Sequence, residues 1–429
     1  MKKQIVISEV YQLGAITINT SIKHVVIPHE KHQVGDIYYG FAYKIFPSIN
    51  GAFIYIGLDN HYSSGFIHLN DLGYIKRRRS LDRLYIDNIY EFIISKQKLL
   101  VQVIKEPNFN KGPRLTSNIV INGRYLALMP FNNSIFIAKQ IINPIDRSCF
   151  NALGKLLQSH GIGIMFREFS LGINEEILID EFFFLKQQWY FFLKRTIQLN
   201  SFCLVYRESN LIRHIIRDYY NLDVNQIMVD SLFSLQQVKF FLHHWKCFIE
   251  INQVNIYLYK DSNKLIKSIY LHNMWQTLSK HKVELSIGGY LIIETLNAMT
   301  IIDVNSGAFR NSLNTKTKDA ILTTNLVAAK EIAYQLILRN ISGIILVDFI
   351  DMQNSKDKFF LLEYLYNLFE EDSAKPQIVQ FSELGLAEIT RKRIAQSLND
   401  FSLCDSYDFI PICYILLLDM CASNWIDFV

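Results

Sequence analysis

Apolar and polar residues alternate with a period near two over many short stretches of this 429-residue chain, and with a helical period over a few longer ones. That pattern predicts a mixed α/β protein. Strands are expected over residues 4–10, 15–19 and 24–27, with a turn near Gly14. From Val34 the strands are short and regularly spaced, at 37–45, 52–56, 65–69 and 99–105, which is the signature of a small barrel. Helical spacing then takes over. The stretch EEILIDEFFFLKQQWYFFLKRTIQL carries aromatics and leucines on one face, with Lys186, Lys194 and Arg195 between them. RESNLIRHIIRDYY predicts a second helix with Ser209 or Asn210 as N-cap, followed by a strand at 226–229. Leu322, Leu326, Ala329, Ala333 and Leu336 form the stripe of a third, with Thr323 or Thr324 near its start; a helix over 359–368 and a strand over 377–381 follow.

Two apolar runs differ from the others because each ends on an aspartate. GGYLIIETLNAMTIIDVNSG places Asp303 after Thr300, Ile301 and Ile302, and SGIILVDFIDM places Asp348 after the run Ile344–Val347. β-Branched residues closing on a polar one read as buried strands that surface at a sheet edge, where ligands bind. The two-residue period puts Asn305 on the face of Asp303, while Asp351 falls off the face of Asp348 and reads as structural or as a support behind the site. Between the runs lie a polar loop, 308–319, and the third helix, so the unit is strand, loop, helix, strand. Two carboxylates are a sufficient protein contribution to a magnesium site that keeps its waters for a phosphate substrate. On spacing alone, strand-end caps or salt-bridge partners remain the alternative.

Composition bounds the rest. The length corresponds to about two to four domains. No apolar stretch approaches the roughly 18 residues of a membrane span; the run 409–418 is interrupted by Pro411, and the protein reads as soluble. Net charge is +4, from 44 basic and 40 acidic residues, too mild to diagnose a nucleic-acid binder. Basic runs occur at Lys76–Arg79 and at Arg391, Lys392 and Arg393, and either reads equally as a solvated face. Cys149, Cys203, Cys247, Cys404, Cys413 and Cys421 form no CxxC pair, so neither a zinc ribbon nor a redox dithiol is signalled. Scattered thiols suit a reducing compartment. The start, MKKQIVISEV, does not read as a signal or transit peptide.

Several stretches together resemble the ribonuclease E/G family. VGDIYYGFAYKIFPSINGAFIYIG, SGFIHLNDLG and VQVIKEPNFNKGPRLTSNIVINGRYLALMP resemble its OB-type barrel, a fold that binds single strands by stacking bases on aromatics and tracking phosphates with cations. By this resemblance Phe53 and Phe66 are the stacking pair and Lys111, in the NKG turn, contacts the RNA backbone. Asp303 in IIDVNSG, the helix TNLVAAKEIAYQL and Asp348 in GIILVDFIDM follow in the family's order.

The resemblance implies a multidomain α/β protein. Residues 1–33 with 203–280 form a ribonuclease H-like support domain without that fold's catalytic acids, which leaves Asp218, Asp223 and Asp230 structural. An OB-type RNA-binding barrel over 34–121 and a 5′-sensor-like region over 122–202 are inserted into it. A DNase I-like catalytic domain covers 281–396, and the tail 397–429 matches nothing. The family's 5′-phosphate pocket is marked by an arginine followed by a threonine; here Arg167 is followed by Glu168. A carboxylate beside that phosphate repels it by up to about 4 kcal/mol at 4 Å and an effective dielectric near 20, so sensing of a 5′-monophosphate is expected to be weak or lost.

The implied function is a magnesium-dependent endoribonuclease acting on single-stranded, AU-rich RNA and leaving 5′-phosphate and 3′-hydroxyl ends. Asp303 and Asp348 hold Mg²⁺ in this reading, and Asn305 orients the attacking water or a phosphate oxygen. The rival is a non-catalytic RNA-binding or RNA-chaperone protein; a metal-dependent DNA nuclease or phosphatase on the same unit is a third. The family's zinc-sharing CPxCxG element has no counterpart among the cysteines, so zinc is without motif and a homo-oligomer stays open. The richness in Ile, Asn, Lys, Phe and Tyr, the lack of a targeting peptide and the lack of a long C-terminal scaffold point to a plastid-encoded member, with a bacterial cytoplasm as the alternative.

Overall fold

A computed structural model describes residues 2–19, 21–28, 32–57, 64–73, 89–107, 112–158, 161–198, 202–208, 210–221, 223–247, 254–259, 265, 280–296, 298–306, 317–370 and 372–393. Lys111, the basic run at 76–79, Ser209, most of the 308–319 loop, Cys404, Cys413, Cys421 and the tail 397–429 lie outside them. The chain divides into two compact units, residues 1–26, 223–231 and 256–429 in one, and 27–222 with 232–255 in the other.

The first unit holds two sheets. One has five strands, ordered Asn255–Leu258, Val224–Val229, Lys3–Ser8, Leu13–Ile18, Ser21–Val26. Lys3–Ser8 runs parallel to Val224–Val229 and antiparallel to Leu13–Ile18. Asp230 ties the ends of this sheet together, accepting from Ser8 Oγ at 2.5 Å and from the Glu9 amide at 2.9 Å.

The other sheet has six strands, ordered Lys282–Glu284, Tyr290–Thr295, Met299–Asn305, Gly343–Asp348, Ala387–Arg391, Gln377–Phe381. Its central pair, Met299–Asn305 and Gly343–Asp348, is parallel, joined through the helix Thr317–Leu338. Alternation decides what each face carries. Leu291, Ile293, Ile302, Val304, Ile345 and Val347 point into a core shared with Ala328, Ala329, Ile332 and Leu336 of that helix and Leu361, Leu365 and Phe369 of the helix Ser355–Phe369. The intervening residues therefore occupy the opposite face. The helix begins at Thr317 instead of near Thr323, because Ile321 and Leu322 extend its apolar stripe onto the core. Arg391, read from sequence as part of a basic run, is buried: it pairs with Asp372 at 2.7 Å and donates to the Ile341 carbonyl at 2.8 Å.

In the second unit, five strands close into a barrel in the order Ile37–Phe46, Gly51–Tyr55, Ser64–His68, Arg114–Thr116, Lys98–Lys105, with the last returning to the first. Ile54, Ile56, Ile67, Val101, Leu115 and Phe92 fill it, each at most 1% exposed. Tyr43 is the extra residue of a bulge between Ala42 and Lys44, which turns its ring outward. The strand Cys203–Tyr206 adds to the outside of the first barrel strand.

A four-stranded sheet, ordered Ile135–Ile137, Gly163–Phe166, Leu126–Met129, Ile121–Asn122, accompanies the helices Pro144–Leu157 and Glu175–Gln198 in this unit. Asn210 caps the helix Leu211–Tyr219 by accepting from the Ile212 amide at 3.0 Å. Among the described residues no helix is long and apolar enough to cross a membrane.

Candidate functional site

Asp303 and Asp348 close the two central parallel strands and are direct register partners. A strand separation of about 4.8 Å sets their backbones side by side. Ile302, Val304 and Val347 beside them are buried, so both carboxylates stand on the sheet face away from the helical core, Asp303 half-buried and Asp348 exposed. Asn305 shares that face, one pleat along, and its Nδ2 donates to Asp303 Oδ2 at 2.6 Å. The amide thereby holds the Asp303 carboxylate in one orientation.

Behind Asp348 the backbone is fixed by Asn325, a fully buried residue of the Thr317–Leu338 helix. Its Nδ2 donates to the Ile350 carbonyl at 2.9 Å, and its Oδ1 accepts from the Ile350 amide at 3.1 Å. Asp351 lies beyond the strand end and is exposed.

Among the described residues no lysine or arginine forms an ion pair with Asp303 or Asp348, and no third acid, histidine or cysteine joins them as a metal-holding group. Two neighbouring carboxylates repel one another unless a cation lies between them. That donor set fits Mg²⁺, which takes one or two carboxylates and otherwise keeps water and substrate oxygens. It does not fit a closed four-ligand zinc site.

On the barrel, Phe53 and Phe66 are register partners on adjacent antiparallel strands, alternating with the buried Ala52, Ile54 and Ile67. Both rings are half-buried on the outer surface, centroids 5.7 Å apart at 64°. Phe46 continues the row, 5.6 Å from Phe53, with Lys44 Nζ 5.1 Å from its ring. Arg114 is the parallel-register partner of Phe66 and is held by Asp71 at 2.9 Å. Gly51 leaves room for this arrangement, since a Cβ there would stand 2.4 Å from the Phe66 ring.

Arg167 follows the strand Gly163–Phe166 and is held by two side-chain hydrogen bonds. Its Nη1 donates to the Gly123 carbonyl at 2.6 Å and its Nη2 to Asp218 Oδ1 at 2.7 Å. Asp218 also receives Arg217 at 2.7 Å and His214 at 3.3 Å; burial works against ionisation, but the two guanidinium groups outweigh it and hold the carboxyl far below the usual range. Glu168 is exposed, and the buried Ser170 spends its hydroxyl on the Arg167 carbonyl at 2.6 Å. Nearby, buried Glu181 accepts the backbone amides of Arg124, Tyr125 and Leu126 at 2.7, 2.8 and 2.8 Å, and Arg124 in turn caps the carbonyls of Ile216 and Tyr220 at a helix end.

Residues 120–394 match the model of the ribonuclease E/G family. The chain belongs to the ribonuclease E/G family. This is a family of endoribonucleases, and its relatives cover nearly the whole chain. A ribonuclease E/G-like protein of Pyropia yezoensis is 42% identical over 95% of this chain and 79% of its own length. The corresponding protein of Porphyra purpurea is 43% identical over 95% and 78%, and ribonuclease E of Synechocystis sp. is 39% identical over 93% of this chain and 58% of its own. The family match contains Asp303, Asn305, Asp348 and Arg167.

Four candidate residues of this family member escape a reading of the sequence alone. Lys44 and Phe46 carried a usable signal, since period two from Phe46 and Lys44 leads to the outer face of the same strand. Arg114 and Asn325 did not. The first depends on a barrel register, and the second is one amide in an apolar helical stripe, indistinguishable there from a residue near an N-cap.

Proposed function

We propose that this chain is a magnesium-dependent endoribonuclease that cuts single-stranded, AU-rich RNA and leaves 5′-phosphate and 3′-hydroxyl ends. The lateral register of Asp303 and Asp348 on one sheet face carries this reading. The two carboxylates would hold Mg²⁺, which when bound supplies Lewis-acid polarisation of the scissile phosphate and makes water a stronger nucleophile. Asn305, anchored on Asp303, orients the water or a phosphate oxygen for in-line attack. Water adds to phosphorus, the bond to the 3′ oxygen breaks, and that oxygen leaves as the hydroxyl while the phosphate stays on the 5′ side of the downstream fragment.

The barrel reads as OB-type, and its return of the fourth sequential strand to the first supports that. Phe53 and Phe66 stack bases there while Lys44, Arg114 and, in the NKG turn, Lys111 meet phosphates. Cleavage does not depend on a 5′-monophosphate in this reading, because Arg167 is committed to Asp218 and Gly123 and faces no hydroxyl-bearing neighbour at residue 168. Residues 1–33 with 203–280 act as a ribonuclease H-like support, 122–202 as the sensor-like region and 281–396 as the DNase I-like catalytic domain. Relatives in red algae and cyanobacteria favour a plastid setting over a bacterial cytoplasm.

The test is cleavage of matched AU-rich single-stranded RNA and DNA with and without Mg²⁺. RNA cleavage that requires the ion is expected. RNA binding with no cleavage marks the non-catalytic rival, and equal cleavage of DNA marks a general metal nuclease.

A further inference from the structure

The face that carries Asp303, Asn305 and Asp348 extends two strands further, and its residues there fall in rows set by the register. Across the sheet, Lys282, Ile292, Asp303 and Asp348 stand in one row, and Glu284, Tyr290 and Asn305 in the next. Val283 and Leu291, the alternate residues, are buried, so Lys282 and Tyr290 project on the same side as the acids. Tyr290 is the immediate lateral neighbour of Asn305, about 5 Å away through the backbone. Lys282 is exposed, and its Nζ lies 4.3 Å from the centroid of the half-buried Tyr290 ring. Ile292 is the half-buried apolar floor between Lys282 and Asp303.

We infer that Tyr290 and Lys282 form a nucleotide subsite beside the scissile phosphate. Tyr290 offers an aromatic face for stacking the base of a nucleotide next to the cleaved bond, and Lys282 neutralises a flanking phosphate. The inference rests on the reading of Asp303, Asn305 and Asp348 as the cleavage centre. Stacking on a ring accepts any base and depends on a single-stranded substrate, since a base in a duplex has no free face to offer. Lys282 takes one face of the ring in a cation–π contact, so a base stacks on the other, and the same cation attracts the phosphate next to that base. Glu284, exposed on the side of Tyr290 away from Asn305, repels phosphate there and confines the backbone to the Lys282 side. Neither residue touches the reacting phosphorus; they position it.

The experiment uses the full chain, Mg²⁺ and short single-stranded RNAs carrying one abasic nucleotide moved stepwise along the sequence. For Tyr290→Ala, KM is expected to rise roughly tenfold, the loss of one stacked base, with kcat changed far less, and Tyr290→Phe restores KM. The abasic substitution adjacent to the cut is expected to raise KM for the wild type and leave Tyr290→Ala no worse, while abasic sites elsewhere penalise both equally. Lys282→Ala, an exposed change that leaves the core intact, is expected to lower the dependence of log Kd on log salt by about 0.7. An unchanged KM in Tyr290→Ala together with an unchanged salt slope in Lys282→Ala overturns the subsite. So does an abasic penalty independent of position. Failure of the wild type to cleave any RNA with Mg²⁺ defeats the reading of the centre itself, a result separable from these.

Discussion

Asp303 and Asp348 meet across two adjacent parallel strands with no residue between them, and Asn305 fixes the orientation of the first by a 2.6 Å hydrogen bond. Among the described residues the apolar core lies on the other side of this sheet, so both acids stand on the face opposite the helices. Such a face needs its acids held from behind.

Asn325 does this for Asp348 by pairing with both backbone groups of Ile350. Asn325→Ala leaves the N–H and C=O of half-buried Ile350 without this partner and is expected to cost roughly 1–3 kcal/mol of stability. Cleavage is expected to fall at least tenfold with RNA binding retained, because the barrel lies elsewhere in the chain. Denaturant titration and single-turnover cleavage on the same preparation check both.

The barrel rings make a separate prediction. Phe53→Ala and Phe66→Ala each remove a stacking surface and are expected to weaken RNA binding by about 1–3 kcal/mol. Gly51→Ala keeps both rings but forces Phe66 to move, since the added Cβ would stand 2.4 Å from it, and is expected to weaken binding in the same direction. Fluorescence anisotropy with single-stranded RNA measures all three.

The engagement of Arg167 with Asp218 predicts indifference to the RNA 5′ end. Identical RNAs bearing 5′-phosphate or 5′-hydroxyl are expected to be cleaved within about threefold of each other, well under the 1.4 kcal/mol that a tenfold preference represents. A strong phosphate preference that disappears in Arg167→Ala contradicts this.

Acid stability carries a further signature. Burial pushes the His24 imidazole down from 6.5 to about 4, with Lys3 and Arg391 adding to the effect and Asp372 opposing it. The unfolded chain therefore binds the proton more readily. The stabilisation is complete above pH 6.5 and is lost as pH falls toward 4, by at most roughly 3 kcal/mol. His24→Gln is expected to flatten that slope, which urea midpoints at pH 7.5 and 4.5 measure.

What was legible in the sequence follows local rules. Asp303 and Asp348 stood out because each ends a β-branched run, and Asn305 because period two carries it to the same face. Their pairing was not legible, since which strands adjoin and in what register is settled by the whole sheet. The same limit hid Tyr290 and Lys282, two and three strands away from Asp348 in the sheet and more than fifty residues away in sequence. Arg391 looked like a solvated cation because the neighbour that buries it, Asp372, is brought by another strand connection. The helix start at Thr317 was missed because its first turn, TKDA, has the polar composition of a loop.

The most direct test of the centre is cleavage and binding of one AU-rich single-stranded RNA by Asp303→Asn and Asp348→Asn in Mg²⁺. Each substitution keeps the shape and removes one charge. Cleavage is expected to fall at least about a thousandfold in each, while the RNA Kd stays within about threefold of the wild type. Wild-type cleavage rates in both variants contradict a metal site shared by these two aspartates.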